Sequence, residues 1–253
     1  MKKTELHIFL GAGGVGKTTL CAAFSVALAK QGKHVALLSI DPARRLQSAL
    51  GVEHLSEAGT KIHIANTKGS LTAALLDTEQ SLKRWVEEKI SDPKKKAKLF
   101  SNPYYSALTQ KMATSTDTLA AIRISEWMEK DPSIEYFVVD TAPGVHAIDF
   151  LTKPEKVALF LDSKLVDWLK WFSEQNMQSK PKIGLISKFI KGSALKILDT
   201  LSHIGGKNFL ISFGEFLALL DEIFFTASDR LKNFRELILS ENSYITHICA
   251  PRH

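Results

Sequence analysis

The sequence predicts a doubly wound α/β fold, with a mostly parallel sheet and an inserted helical subdomain, on three observations. Short apolar runs alternate with segments of helical spacing through the first 150 residues, which is the signature of βαβ units. The run Leu6-His7-Ile8-Phe9-Leu10 passes directly into Gly11-Ala12-Gly13-Gly14-Val15-Gly16-Lys17-Thr18, and a helical pattern follows at once. From 151 to about 240 the strand signal disappears and large apolar residues recur three and four apart, as on amphipathic helices.

Residues 5–10 read as the first strand. Thr18 to about Gln31 reads as a helix, because Leu20, Ala23, Phe24, Ala27 and Leu28 share a face and Gly32 stops it. His34–Ile40 is nearly all apolar, as a parallel strand covered on both faces should be. Asp41-Pro42 close it, and a short helix runs through Leu50 to Gly51. A short strand is expected at Lys61–Ala65. The stretch from 71 to about 130 reads as helical, broken at Asp92-Pro93 and Asn102-Pro103. Glu135–Asp140 is again a buried strand.

Beyond it, Leu165, Trp168, Leu169 and Phe172 form one stripe. Phe209, Phe213, Phe216, Leu217, Leu220, Ile223, Phe224, Ala227, Leu231 and Phe234 form another, on one long helix or two in succession. Tyr244–Ala250 reads as a returning strand. The expected organisation is a core over 1–150 with a helical segment at about 71–130, a helical insert over 151–240, and a return strand in 241–253. The chain is expected to stop before that fold is complete.

Composition narrows the class. The chain has 253 residues, 45% hydrophobic and 24% charged, which suits a globular protein and excludes intrinsic disorder. Its 33 basic and 27 acidic residues leave a net charge of +6. The densest basic cluster, Lys94-Lys95-Lys96-Ala97-Lys98, reads as a solvated loop or helix start; an anionic partner is the other reading. Cys21 and Cys249 stand far apart, which excludes a disulfide framework or a four-cysteine zinc site within one chain. No uninterrupted apolar run reaches the roughly 18 residues of a membrane span. The run after Met1-Lys2-Lys3 is too short for a signal peptide, so a cytoplasmic protein is expected.

The segment from Gly11 to Thr18 fits the G-x-x-x-x-G-K-[ST] phosphate-binding loop in its required strand–loop–helix setting. It implies ATP with Mg²⁺ as ligand. The binding set is Gly13, Gly14, Val15, Gly16, Lys17, Thr18 and Thr19. Backbone N–H groups would cradle the β-phosphate at a helix N-terminus. Lys17 would reach the β- and γ-phosphates, and the Thr18 hydroxyl would ligate Mg²⁺. Asp140, at the end of an apolar strand, occupies the position of a carboxylate that holds Mg²⁺ or its water shell. Asp41, at the end of the second strand, could orient an attacking water and touch the metal through water. Asp-Pro is also an ordinary turn.

Three segments occur in family order: Gly11–Thr19, then Ser39-Ile40-Asp41-Pro42-Ala43-Arg44-Arg45-Leu46, then Val139-Asp140-Thr141-Ala142-Pro143-Gly144-Val145-His146. Together they resemble the anion-pump ATPase family, which includes the arsenite-efflux ATPase and the ATPase that targets tail-anchored membrane proteins. This family lies within the deviant Walker-A class of dimer-forming P-loop NTPases, and the resemblance covers essentially the whole chain. It implies that Asp41 positions the attacking water and that Asp140 belongs to the Mg²⁺ shell. It also implies that His146 relays nucleotide state to the helical subdomain; a structural histidine is the other reading.

The chain departs from the family's pattern in three ways. The class usually carries a second lysine after the loop's first glycine, where this chain has Ala12. Arg44 or Arg45 could supply the missing charge as a finger in cis or across a dimer, and an exposed helix face is the alternative. The two cysteines do not match the family's zinc clamp or metalloid site, which disfavours arsenite transport. The resemblance implies that a C-terminal part completes the adenine pocket, and that part is expected to be missing here.

The resemblance implies a homodimer or a family-type partner contact, and a hydrophobic protein client held by the insert. Trp168, Trp171, Phe172, Phe224 and Phe225 lie in that insert, most of them read as its own core. Phe225 and Leu219 could form a second, partner-binding face. The leading function is an ATP-hydrolysing switch that couples nucleotide state to a helical subdomain. The alternatives are a partition-type DNA- or membrane-positioning ATPase and a nucleotide-binding scaffold with little turnover. Nucleic acid is a disfavoured partner.

Overall fold

The computed structural model describes residues 4–41, 45–106, 116–142, 212–213, 215–216 and 218–249. Two compact units emerge from the chain. The first comprises Met1–Lys83, Met112–Ala158 and Asp229–His253, and the second Arg84–Lys111 and Leu159–Ser228.

In the first unit, β1 (Glu5–Gly11) leads through the glycine-rich loop into α1 (Lys17–Lys30). Next come β2 (His34–Ser39), the short α2 (Arg45–Leu50), β3 (Thr60–Ile62) and β4 (Ser70–Leu75). The helix α3 (Thr78–Lys89) starts in this unit and ends in the second. The chain returns through α5 (Thr116–Lys130) and β5 (Tyr136–Asp140), then finishes with α6 (Asp221–Ile238), which begins in the second unit, and β6 (Ser243–Ile248). The strand order is β3-β4-β2-β5-β1-β6. Only the β3–β4 pairing is antiparallel among the described residues. The doubly wound, mostly parallel sheet is therefore as expected.

One expectation fails. Residues 71 to about 130 are not helical throughout, because β4 pairs with β2 from His34↔Ser70 to Ser39↔Leu75. Alanine and leucine in Ser-Leu-Thr-Ala-Ala-Leu favour a helix intrinsically. Burial overrides that preference: Leu71, Ala73 and Ala74 are buried and the backbone is satisfied by the neighbouring strand. A strand covered on both faces shows no clean alternation to betray it. The expected strand at Lys61–Ala65 is shorter and shifted, at Thr60–Ile62, and the return strand runs Ser243–Ile248.

Alternation along the strands sends residues to two cores. One face carries Phe9, Val35, Leu37, Leu71, Ala73 and Val138, packed with Cys21, Ala22, Leu28 and Ala29 of α1. The other holds Phe137, whose ring meets Trp127 of α5 edge-on at 5.5 Å. Leu231 and Phe234 of α6 are buried, and Ser125 Oγ donates to Arg230 O at 2.8 Å to tie α5 to α6. Arg123 is buried and anchors the loop before β3. Its guanidinium donates to Glu57 O at 3.0 Å and Ala58 O at 3.2 Å while lying over the Trp127 ring.

In the second unit, α4 (Pro93–Phe100) opens with proline at its start and an Asp92 side chain that accepts from Lys94 N, a standard N-terminal cap. Lys94, Lys95 and Lys98 are exposed on this helix, and Lys98 pairs with Glu215 at 3.4 Å. Tyr104 packs against Phe213 and Phe216. Of the apolar stripe, Phe216, Leu220, Ile223, Ala227, Leu231 and Phe234 are buried, whereas Phe225 is 71% exposed. Trp168, Trp171 and Phe172 lie outside the described residues.

His7 on β1 tests the aromatic layer under α1. It stacks on Tyr244 at 4.8 Å and meets Phe24 at 5.0 Å. Burial holds its pKa below the ordinary 6.5, partly offset by Glu5 3.4 Å away. The unfolded chain then binds the proton more readily, so stability is complete above pH 6.5 and falls as pH drops from there through the folded value. The thermal midpoint should fall between pH 7.5 and 5.5 by less in His7→Phe than in the parent. An equal fall in both would contradict this.

Candidate functional site

Three strands end together at the carboxyl edge of the sheet. β1 ends at Gly11, β2 at Ser39 just before Asp41, and β5 at Asp140. Register fixes their neighbours, with Phe9 and Ser39 both opposite Asp140. Ile40 N donates to Asp140 O at 2.8 Å, which carries β2 one residue further toward Asp41. Ligands of open α/β sheets bind at such an edge.

The loop's shape depends on glycine. Gly14 and Gly16 have φ of 79° and 90°, in the left-handed region that costs other residues about 1–2 kcal/mol. A Cβ at either would meet nothing within 4 Å, so open space lies over the backbone there. Gly11, at φ 153°, is also constrained by contact, since a Cβ would fall 2.5 Å from Ile248 O.

Gly16 caps α1 without a side-chain hydrogen bond, and the first turn holds no acidic residue. The helix's first N–H groups and its dipole are thus left to an external anion. Lys17 is buried, and its Nζ donates to Gly11 O at 2.9 Å and Ala12 O at 2.8 Å. Those two carbonyls hold the ammonium within the loop. Gly13, Gly14, Gly16 and Thr19 are exposed, and Val15 and Thr18 are half-buried.

Asp140 has no solvent exposure. Its Oδ2 accepts from Ser39 Oγ at 2.9 Å and its Oδ1 from Cys21 Sγ at 3.9 Å, and the Thr18 side chain also bonds to it. Burial pushes its carboxyl above the usual carboxylate range. The Thr18 and Ser39 bonds pull it back, Asp41 adds to the rise, and Lys17 opposes it. Burial, reinforced by Asp140, pushes the Cys21 thiol far up, so it stays a neutral donor.

Asp41 is buried, and its Oδ2 accepts from Arg45 Nη1 at 2.8 Å. The Arg45 side chain is 61% exposed. The structure thus brings Lys17, Thr18, Asp41 and Asp140 to one edge and places Arg45 on Asp41. Pro42, Ala43, Arg44 and His146 lie outside the described residues. Ser39 and the role of Cys21 escape the motif reading. Their only sequence signal is a lone hydroxyl closing an otherwise apolar strand and a small thiol one turn into the loop's helix.

The oxygen donors suit Mg²⁺, which takes one or two carboxylates plus substrate phosphates rather than an all-protein cage. No cluster of three or more His, Cys, Asp or Glu capable of caging a metal exists among the described residues. Thr18 and Asp140 would hold such an ion, completed by the phosphates.

Gly16→Ala should weaken binding of a fluorescent ATP analogue more than 10-fold, an effect on the order of 1.4 kcal/mol. Gly51 has a comparable φ of 68° and equally open surroundings. Gly51→Ala should therefore cost similar stability and leave nucleotide affinity unchanged. Equal nucleotide binding by the two variants would refute the loop's role.

Comparison with known proteins gives a consistent identity. The anion-transporting ATPase family matches residues 4–204. The chain is 31% identical over 195 residues to "ATPase GET3" of Mycosarcoma maydis, covering 76% of this chain and 52% of that protein. It is 30% identical over 160 residues to the "Arsenical pump-driving ATPase" of Escherichia coli, covering 61% and 26%. It is 34% identical over 157 residues to "ATPase GET3" of Malassezia globosa, covering 60% and 44%. The chain spans about half the length of these relatives or less. A glycine loop open to an anion, two carboxylates at neighbouring strand ends and a match over most of the sequence agree: the chain belongs to the anion-transporting ATPase family.

Proposed function

We propose that this protein binds ATP with Mg²⁺ and hydrolyses it, using nucleotide state to rearrange a helical subdomain. One observation carries the reading: an uncapped helix N-terminus with Lys17 faces two buried strand-end carboxylates at one sheet edge. That matches what phosphoryl transfer requires, since catalysis there is mostly positioning and charge stabilisation. The relatives' names, all ATPases, support hydrolysis.

In this reading the N–H groups of Gly13 to Thr18 bind the β-phosphate, with Thr19 completing the set. Lys17 moves its Nζ bonds from the Gly11 and Ala12 carbonyls to phosphate oxygens. Thr18 and Asp140 would hold Mg²⁺, which would supply charge neutralisation to the phosphates. Asp41 would orient the attacking water and could reach Mg²⁺ through a water. Arg45 must exchange Asp41 for phosphate to act as a finger; Arg44 is the alternative finger, and His146 the relay to the insert.

The helical insert over 151–240 is the candidate surface for a hydrophobic protein or membrane-associated partner, with Phe225 and Leu239 exposed among its described apolar residues. A homodimer is the proposed assembly and the cytoplasm the proposed location. No helix among the described residues is long and apolar enough to cross a membrane. Ala12 favours a second reading, a nucleotide-binding scaffold with little turnover, because it removes a cation from the loop.

Phosphate release at saturating MgATP separates the two. Lys17→Ala should lose nucleotide affinity by at least about 10-fold. Asp41→Asn should keep affinity and lose turnover by about 10²–10⁴-fold. A parent chain without measurable turnover would support the scaffold. Either variant turning over at the parent rate would refute the site assignment.

A further inference from the structure

Asp140 is held from two elements at once. Ser39 stands directly across from it on β2 and donates to Oδ2 at 2.9 Å. Cys21, on α1, donates to Oδ1 at 3.9 Å. Ser39 is 1% exposed and Cys21 fully buried, so neither is placed to meet solvent. Both are neutral hydrogen donors to an anion.

That choice of chemistry has a consequence. A lysine or arginine at either place would quench the carboxylate's charge and compete with a divalent cation. An apolar residue would leave a buried carboxylate oxygen without that partner, at the cost of its hydration. A hydroxyl and a thiol fix the direction of the oxygens and leave the full negative charge in place. Outer partners of this kind orient the groups that meet a metal and are worth about 10–100-fold in metal affinity.

We propose that Ser39, with Cys21 as a weaker second donor, is a positioning residue that holds the Asp140 carboxylate in the orientation that receives the nucleotide's divalent cation. The inference rests on the reading of Asp140 as part of the Mg²⁺ shell. It assigns no direct contact with nucleotide or metal to Ser39 or Cys21.

The test is binding of mant-ATP to the 253-residue chain, titrated with MgCl₂ and repeated in EDTA. Ser39→Ala should raise the half-saturating MgCl₂ concentration by at least about 10-fold. Its mant-ATP affinity in EDTA should match the parent's, while its thermal midpoint should fall, because a buried carboxylate oxygen loses its donor. Ser39→Cys keeps a donor, though a weaker one, and should shift the MgCl₂ requirement by only about 3-fold. Cys21→Ala, which removes a long thiol contact, should also shift it less than about 3-fold.

An unshifted Ser39→Ala beside a shifted Asp140→Asn would overturn the positioning role and leave the site reading intact. An unshifted Asp140→Asn would overturn both. Weakening of mant-ATP by Ser39→Ala to the same degree in EDTA and in MgCl₂ would show a purely structural role. If Ser39→Ala does not fold, Ser39→Cys decides, and a MgCl₂ requirement equal to the parent's overturns the proposal.

Discussion

A carboxylate with no solvent exposure ends β5, a strand flanked by β2 and β1 near the middle of the sheet. Left bare, such a group would lose several kcal/mol of hydration. Three side chains on two elements compensate it: β2 supplies Ser39, and α1 supplies Thr18 at its start and Cys21 a turn later. Each contribution depends on register. A one-residue slip of β2 would send Ser39 to the opposite face, and a longer glycine loop would turn Thr18 and Cys21 away from Asp140. The sheet order, the loop's length and the phase of α1 are therefore coupled through one buried charge.

The loop adds the opposite charge. Lys17 is buried within the same edge and lowers the cost of ionising Asp140, while Asp41 raises it. The strand ends thus hold two carboxylates against the loop lysine, with Arg45 paired to Asp41 from a mostly exposed position. Solvent around Arg45 screens this pair although Asp41 itself is buried. In the proposed reading, the exposed Ala12 leaves a second positive charge to be supplied by Arg45 or Arg44.

The parts legible in the sequence are those with a short-range cause. The loop needs glycine at 14 and 16 because of positive φ, and Asp41 and Asp140 follow apolar runs that could only be interior strands. Of the helical stripe, Phe216, Leu220, Ile223, Ala227, Leu231 and Phe234 are buried as their spacing implied. Misreadings arise where pairing decides. Ser70–Leu75 carries helix-favouring residues yet forms a strand between β3 and β2, because long-range burial outweighs tenths of a kcal/mol in propensity. Ser39 and Cys21 were invisible for the same reason: their meaning lies in a partner 101 and 119 residues away. Arg45 was legible as a charge near Asp41 but not as its hydrogen-bond partner.

The most direct measurement is a crystal structure of the chain grown with MgCl₂ and a non-hydrolysable ATP analogue. The account predicts a β-phosphate within about 3 Å of the backbone nitrogens of Gly14 to Thr18. It predicts Mg²⁺ at about 2.1 Å from Thr18 Oγ1, joined to Asp140 directly or through one water. Asp140 should keep its bond to Ser39. A nucleotide bound away from the loop, or a cation more than about 6 Å from the Asp140 carboxylate, would contradict it.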